Sequence, residues 1–163
     1  MNVFGRNRFL DVRADEVGLF LRVFFVLGLT IAGHTLLETA RDALFLARLP
    51  PKLLALVYVV VALGMLLITP LNVRLTRRSG PRDTLVVSLL LTAFVSAWFR
   101  TRPPTPGTVF ALYVFGALSA TVLIGQFWLL AGSIFSAAQS RRLFGPLASG
   151  GVLGAIAGAG VAT

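Results

Sequence analysis

The chain contains no cysteine and only one histidine among its 163 residues. The absence of cysteine excludes disulfide bonds, thiolate metal sites and cysteine nucleophiles, and a single histidine argues against a histidine-rich metal site within the chain. The sequence also lacks a convincing serine–histidine–acid set, paired metal ligands or a cofactor fingerprint. We therefore expect no metal, no cofactor and no enzymatic activity.

Charged residues are also scarce. They make up 13% of the chain, against about 25% in a typical soluble domain, and hydrophobic residues make up 56%. The net charge of +9 comes from short basic clusters between apolar runs, as in the loops of membrane proteins. This distribution indicates the lipid bilayer as the partner of the chain and argues against nucleic acid.

Five apolar runs predict an all-α, polytopic integral membrane bundle, because a membrane-spanning helix needs about 20 residues. Short connections rich in Pro, Gly and Arg separate the runs and predict antiparallel neighbours. The last run has no basic flank or polar tail, so we expect one transmembrane domain over 1–163 that is the N-terminal fragment of a longer protein. Its partners would include the remaining helices of that protein. The predicted spans are 17–48, 53–73, 84–99, 108–138 and 146–163.

Orientation follows from the distribution of Lys and Arg among the connections, since cytoplasmic segments carry the excess of both. With the N-terminus inside, nine basic residues lie on the inner side and four on the outer side. We therefore expect an inner (plasma) membrane protein of bacterial type with a cytoplasmic N-terminus. The inner set is Arg6, Arg8, Arg13, Arg74, Arg77, Arg78, Arg82, Arg141 and Arg142, and the outer set is Arg48, Lys52, Arg100 and Arg102.

Four polar residues interrupt the first run: His34, Glu38, Arg41 and Asp42. Their spacing places all four on one face of a helix, which we call the charged stripe. Charges within a span usually face a bundle interior or a water-filled cavity, so the charged stripe is a candidate for substrate binding. The alternative is that 38–48 protrudes into the outer interface, where the same charges would be an ordinary solvated flank.

Basic residues at the predicted inner ends are candidates for a gate. The turn RLTRRSGPRD carries Asp83, which could pair with Arg74 or Arg78, and Arg141 and Arg142 would lie at the inner mouth. The alternative for the turn is a plain topological signal without a gating role.

Two further patterns concern helix contacts. Gln126 and Ser133 share a face of the fourth run and could bind a substrate or bond neighbouring helices. Gly150, Gly154 and Gly158 recur at four-residue spacing, which predicts a face for close helix packing.

Two segments resemble the nucleotide transporter family, which comprises the ATP/ADP translocases of plastids and intracellular bacteria and their free-living bacterial relatives. LLETARDALFL (Leu36–Leu46) resembles the charged pairs and apolar run of that family's first helix. The segment QFWLLAGSIFSAAQSRRLFGPLASGGVLGAIAGA resembles its Phe-Trp, basic-pair and glycine-rich pattern. The turn at 74–83 resembles the basic loop of major facilitator transporters.

The resemblance implies a major-facilitator-like fold of about twelve spans, alternating access and exchange of ATP for ADP. Arg41 takes the place of the family's lysine and Asp42 that of the following acid, so both are implied in the substrate pathway. Glu38 departs from the pattern because the family has a basic residue there. One alternative is a major facilitator transporter of another solute, with Glu38 and His34 as candidates for proton coupling. The other is a non-transporting anchor or sensor.

Overall fold

The computed structural model describes residues 12–13 and 15–162, and it places four helices in them. Within these residues all regular secondary structure is helical, so the all-α prediction is confirmed. Each helix has the length and apolar composition needed to cross a bilayer, as expected of a membrane protein. The helices are α1 (Val17–Arg48), α2 (Leu53–Arg100), α3 (Pro106–Ile134) and α4 (Ala137–Ala162).

Helix α2 is folded back on itself at Gly80. This glycine has φ 82° and ψ 160°, a conformation that L side chains rarely adopt, and Pro81 starts the next helical arm. A straight helix would separate Asn72 from Ser88 by about 24 Å. Instead, both side chains accept hydrogen bonds from the same Gln126 nitrogen, at 2.6 and 2.9 Å. The two arms, 53–79 and 81–100, are therefore antiparallel neighbours.

The contacts between helices fix their relative directions. Glu16 at the start of α1 pairs with Arg142 near the start of α4, so these two helices are parallel. The end of α1 lies against the start of α3, where Arg41 packs over Tyr113, so these two are antiparallel. With the fold-back of α2, successive apolar segments alternate in direction, as short connections between membrane spans require.

Two boundaries differ from the sequence-based expectation. The predicted fourth span continues to Ala138, but helix α3 ends at Ile134. Phe135 and Ser136 are not helical, and α4 already begins at Ala137. A capping box explains the early start, because the Gln139 backbone N–H donates to Ser136 Oγ and the Ser136 N–H donates to Gln139 Oε1. Residues 140–145, expected to form a connection, are therefore helical. The basic segment 74–83, expected to form a turn, is also helical except at Gly80.

Two apolar clusters hold the bundle together, one at each end. The first joins α1, α3 and α4 around Phe127 and Leu143. The second joins the end of α1 to the first arm of α2 and the start of α3, around Phe45 and Val57. The charged stripe lies on α1 between these clusters, where the helices are held close but the packing is not purely apolar.

Candidate functional site

Arg41 is the buried member of the charged stripe, with a side chain only 7% exposed. Its Nη2 donates to Glu38 Oε1 at 3.1 Å and its Nε to Asp42 Oδ1 at 3.3 Å. The two carboxylates are 45% and 46% exposed, so they hold the guanidinium from its outer side. Arg41 is therefore clamped by its own helix and directed into the bundle.

Helix α3 provides the other wall around Arg41. The guanidinium lies over the Tyr113 ring, with 4.5 Å from Cζ to the ring centroid, an arrangement that favours a cation. Gly116 leaves room beside it, since a Cβ there would lie 3.0 Å from Arg41 Cδ and 3.2 Å from Nη1. Nη1 is buried and has no hydrogen-bond partner among the described residues. The site thus contains a buried cationic donor that the described residues leave unpaired.

His34 extends the charged stripe towards the middle of the bundle. Its Nε2 lies 3.5 Å from Glu38 Oε2, and its side chain lines a cleft of about 280 Å³ between α1, the second arm of α2 and α3. Thr92, Ser96 and Ser119 also line this cleft, whose walls are mainly apolar. All four residues of the charged stripe are thus connected through Glu38 and Arg41, and the stripe borders a mainly apolar cleft at His34.

The burial of Arg41 also bears on the alternative of a solvated flank. Helix α1 continues without interruption to Arg48, and Arg41 lies about 10 Å before that end. It packs against α3 instead of extending into solvent. The exposed carboxylates of Glu38 and Asp42 are the only part of this set with the accessibility expected of a flank.

Gln126 does not join the charged stripe. It is 2% exposed and lies between the arms of α2, where its Nε2 donates to Asn72 and Ser88. Of the two roles predicted for it, this geometry is that of bonding between helices. Its Oε1 is buried without a partner among the described residues, and the residue lines an apolar cleft of about 290 Å³.

At the opposite end of α1, Arg142 forms a polar link with Glu16. The sequence indicated Arg142 but not its partner. Arg142 Nη2 donates to Glu16 Oε2 at 2.7 Å, and Gln139 Nε2 donates to Glu16 Oε1 at 2.9 Å. These hydrogen bonds lower the pKa of Glu16 from 4.5 to about 2, and the bond from Arg142 makes the largest contribution. Arg142 therefore joins α4 to α1, whereas Arg141 is exposed.

The remaining predicted gating residues are not brought together. Arg74, Arg78 and Asp83 are exposed at the fold-back of α2, and in the described part of the chain no ion pair joins Asp83 to either arginine. Their gating role stays a prediction.

The glycine face of α4 packs directly on α1. A Cβ at Gly150 would lie 2.9 Å from the carbonyl oxygen of Phe24, and one at Gly154 would overlap the backbone of Gly28. Gly158 meets the backbone one turn further on, at Ala32. The two backbones therefore touch along three turns, a separation that only glycine permits.

Comparison with known proteins adds no assignment. No family model, no curated protein and no solved structure matches the chain. The resemblance to nucleotide transporters therefore depends on the quoted motifs alone, and the function has to be argued from the site.

Sequence reasoning missed the residues that surround the predicted ones. Tyr113 and Gly116 carried no signal, because an aromatic and a glycine are ordinary in an apolar helix. Asn72 and Ser88 became meaningful only through the fold-back of α2. Glu16 had a usable signal, since it is an acid directly before the first apolar run and a candidate partner for a basic residue at the same end.

Proposed function

We propose that the chain belongs to a membrane transporter in which α1 lines the substrate pathway and Arg41 binds an anionic substrate. The observation that carries this proposal is the buried guanidinium with an unpaired Nη1 between α1 and α3. A helix that only anchors a protein has no need for a buried charge, and such charges in spans usually mark substrate or ion pathways. Transport is thus a better explanation than a passive anchor or sensor.

The chemistry of Arg41 favours an oxyanion as substrate. A guanidinium is planar and always charged, and it matches carboxylate and phosphate groups through paired N–H donors. Here Glu38 and Asp42 occupy Nη2 and Nε, so an incoming anion would use Nη1 and compete with a carboxylate. Phosphate groups of nucleotides fit this chemistry, and the motif resemblance makes ATP and ADP the substrates to test first.

Alternating access would use the arrangement of α1 between two partners. Helix α4 is locked to α1 by backbone contact, whereas α3 faces α1 across Arg41, His34 and a cleft in the region between the two apolar clusters. The basic residues collected at the Glu16 end support a cytoplasmic placement of that end in a bacterial inner membrane. In this orientation the charged stripe lies in the outer half of the bundle.

Exchange of labelled ATP and ADP by the full-length protein in proteoliposomes tests the proposal. Arg41→Ala should reduce exchange at least about tenfold, the effect of losing one charged contact to the substrate. Arg22→Ala is the matched control, because Arg22 is an exposed arginine of the same helix, and it should exchange normally. Undiminished exchange in Arg41→Ala would contradict the assignment of Arg41 to the substrate site. No exchange by the unsubstituted protein would contradict the assignment of ATP and ADP as substrates.

A proton-coupled transporter of another solute is the second candidate. The observation that favours it is the contact between His34 and Glu38 beside the cleft, since such a pair can take up and release a proton. Solute uptake that depends on an imposed pH gradient and is lost in Glu38→Gln would support this candidate. Nucleotide exchange that is indifferent to the gradient and to Glu38→Gln would exclude it.

A further inference from the structure

Gly116 and Tyr113 of α3 together form a pocket for the Arg41 side chain, which we call the arginine seat. The ring of Tyr113 lies against the guanidinium, and the missing side chain of Gly116 leaves the space that Cδ and Nη1 occupy. Neither residue belongs to the charged stripe, and both come from the opposite helix. The seat therefore determines the position of the Arg41 side chain in this structure.

The seated position has a consequence for binding. Nη1 is the donor that the carboxylates leave unpaired, yet it is inaccessible to solvent in this conformation. An oxyanion cannot reach a donor that is covered by α3, so the seated guanidinium is an occluded form of the site. Leaving Nη1 without a partner makes this form less favourable than one in which the donor is paired.

We propose that Gly116 and Tyr113 are positioning residues that hold Arg41 in the occluded form, and that Arg41 leaves the seat to bind the substrate anion. The inference rests on the proposed function of Arg41. Only molecules in the released form can bind the anion. The apparent Kd therefore equals the intrinsic Kd divided by the fraction of molecules in the released form, and the seat makes that fraction smaller. Weakening the seat should therefore strengthen binding, the opposite of what a damaged binding site would show.

Gly116→Ala is the variant that tests the seat most directly. The three atoms nearest to the added methyl group all belong to the flexible Arg41 side chain, so the substitution should displace that side chain and leave the helix packing intact. Gly125→Ala is the matched control on the same helix, because a Cβ at Gly125 has nothing within 4 Å. Melting temperatures of both variants in detergent check that they are folded.

The first measurement is modification of Arg41 by phenylglyoxal in the full-length protein, quantified by peptide mass spectrometry. Gly116→Ala should raise the rate of Arg41 modification at least about fivefold, and Gly125→Ala should leave it unchanged. Equal rates in Gly116→Ala and the unsubstituted protein would overturn the seat. This readout needs no substrate, so it separates failure of the seat from failure of the proposed function.

The second measurement is equilibrium binding of ATP to the same proteins. Gly116→Ala should lower the Kd about fivefold, while a Kd that rises would overturn the inference. If ATP binds none of the proteins, the proposed substrate fails, and the modification rates still decide whether the seat exists.

A second variant covers the case in which Gly116→Ala does not fold. Tyr113→Leu removes the ring beneath the guanidinium and should also raise the modification rate, whereas Tyr113→Phe keeps the ring and should not. Equal rates in these two variants would contradict the inference.

Discussion

Helix α1 has two sides that differ in the way they contact their neighbours. Towards α4 it meets glycine, with backbone against backbone, and no side chain separates the two helices at Gly28 and Gly154. Towards α3 it presents Arg41 and His34 between two apolar clusters, and a cleft of about 280 Å³ remains beside His34. The first side is in direct backbone contact, whereas the second combines apolar packing at its two ends with buried polar groups between them.

The difference indicates which parts of the bundle can move. Close-packed glycine contacts tolerate little change in separation, so α1 and α4 should move together. The link between Glu16 and Arg142 fixes the same pair at its end. The α3 side has an unpaired donor and unfilled space, which are features of a contact with more than one arrangement. This contrast supports the proposed substrate pathway between α1 and α3.

The largest effect is expected from Gly154→Ala, which attacks the α4 side. The methyl group would overlap the Gly28 backbone, and backbone cannot move aside as a side chain can. We expect a loss of more than about 3 kcal/mol in the free energy of unfolding, measured by thermal or denaturant unfolding in detergent. Gly145→Ala, whose Cβ meets nothing within 4 Å, should be neutral. A stable Gly154→Ala would show that the α4 side is not close-packed.

Gln126→Leu should have the next largest effect. It tests whether the hydrogen bonds between α3 and α2 stabilise the fold. The change leaves Asn72 and Ser88 without their donor, which should cost about 1–3 kcal/mol in unfolding experiments. Adding Asn72→Leu should recover part of the loss, since it removes the stranded partner. Nucleotide affinity should not change. Weaker nucleotide binding in folded Gln126→Leu would instead support the predicted substrate contact.

Arg41→Met should separate stability from function on the α3 side. A buried guanidinium with an unpaired Nη1 contributes little net stability, and apolar replacement of buried charge is often neutral or stabilising. We expect the free energy of unfolding to change by less than about 1 kcal/mol while nucleotide exchange is lost. A destabilisation as large as that of Gly154→Ala would mean that both sides of α1 are structural.

The smallest effect is expected from Glu16→Gln, and it depends on pH. The pKa of Glu16 is lowered from 4.5 to about 2, so its ionised form stabilises the fold above pH 4.5, and this contribution is lost as the pH falls towards 2. Glu16→Gln should melt at a lower temperature than the unsubstituted protein at pH 7, and the difference should vanish near pH 2. Asp15→Asn is the control, because Asp15 is exposed. A difference that persists at low pH would show that charge is not the basis of the link.

The fold was more predictable from the sequence than the site. Apolar runs of membrane length identify helices without knowledge of their neighbours, because the bilayer imposes both length and composition. Boundaries were harder, since the capping box of Ser136 and Gln139 outweighed the expectation that Pro146 begins a helix. In the site, helical spacing grouped Glu38, Arg41 and Asp42 correctly, because these contacts lie within one helix.

By itself the sequence determined the helical class, the apolar segments and the face of α1 that carries charge, because each depends on composition and local periodicity. Only the tertiary structure decided which charge is buried and what it faces. Arg41 is enclosed because α3 places Tyr113 and Gly116 against it. Gln126 belongs elsewhere because α2 folds back at Gly80. These contacts join residues distant in the chain, and local spacing does not encode them.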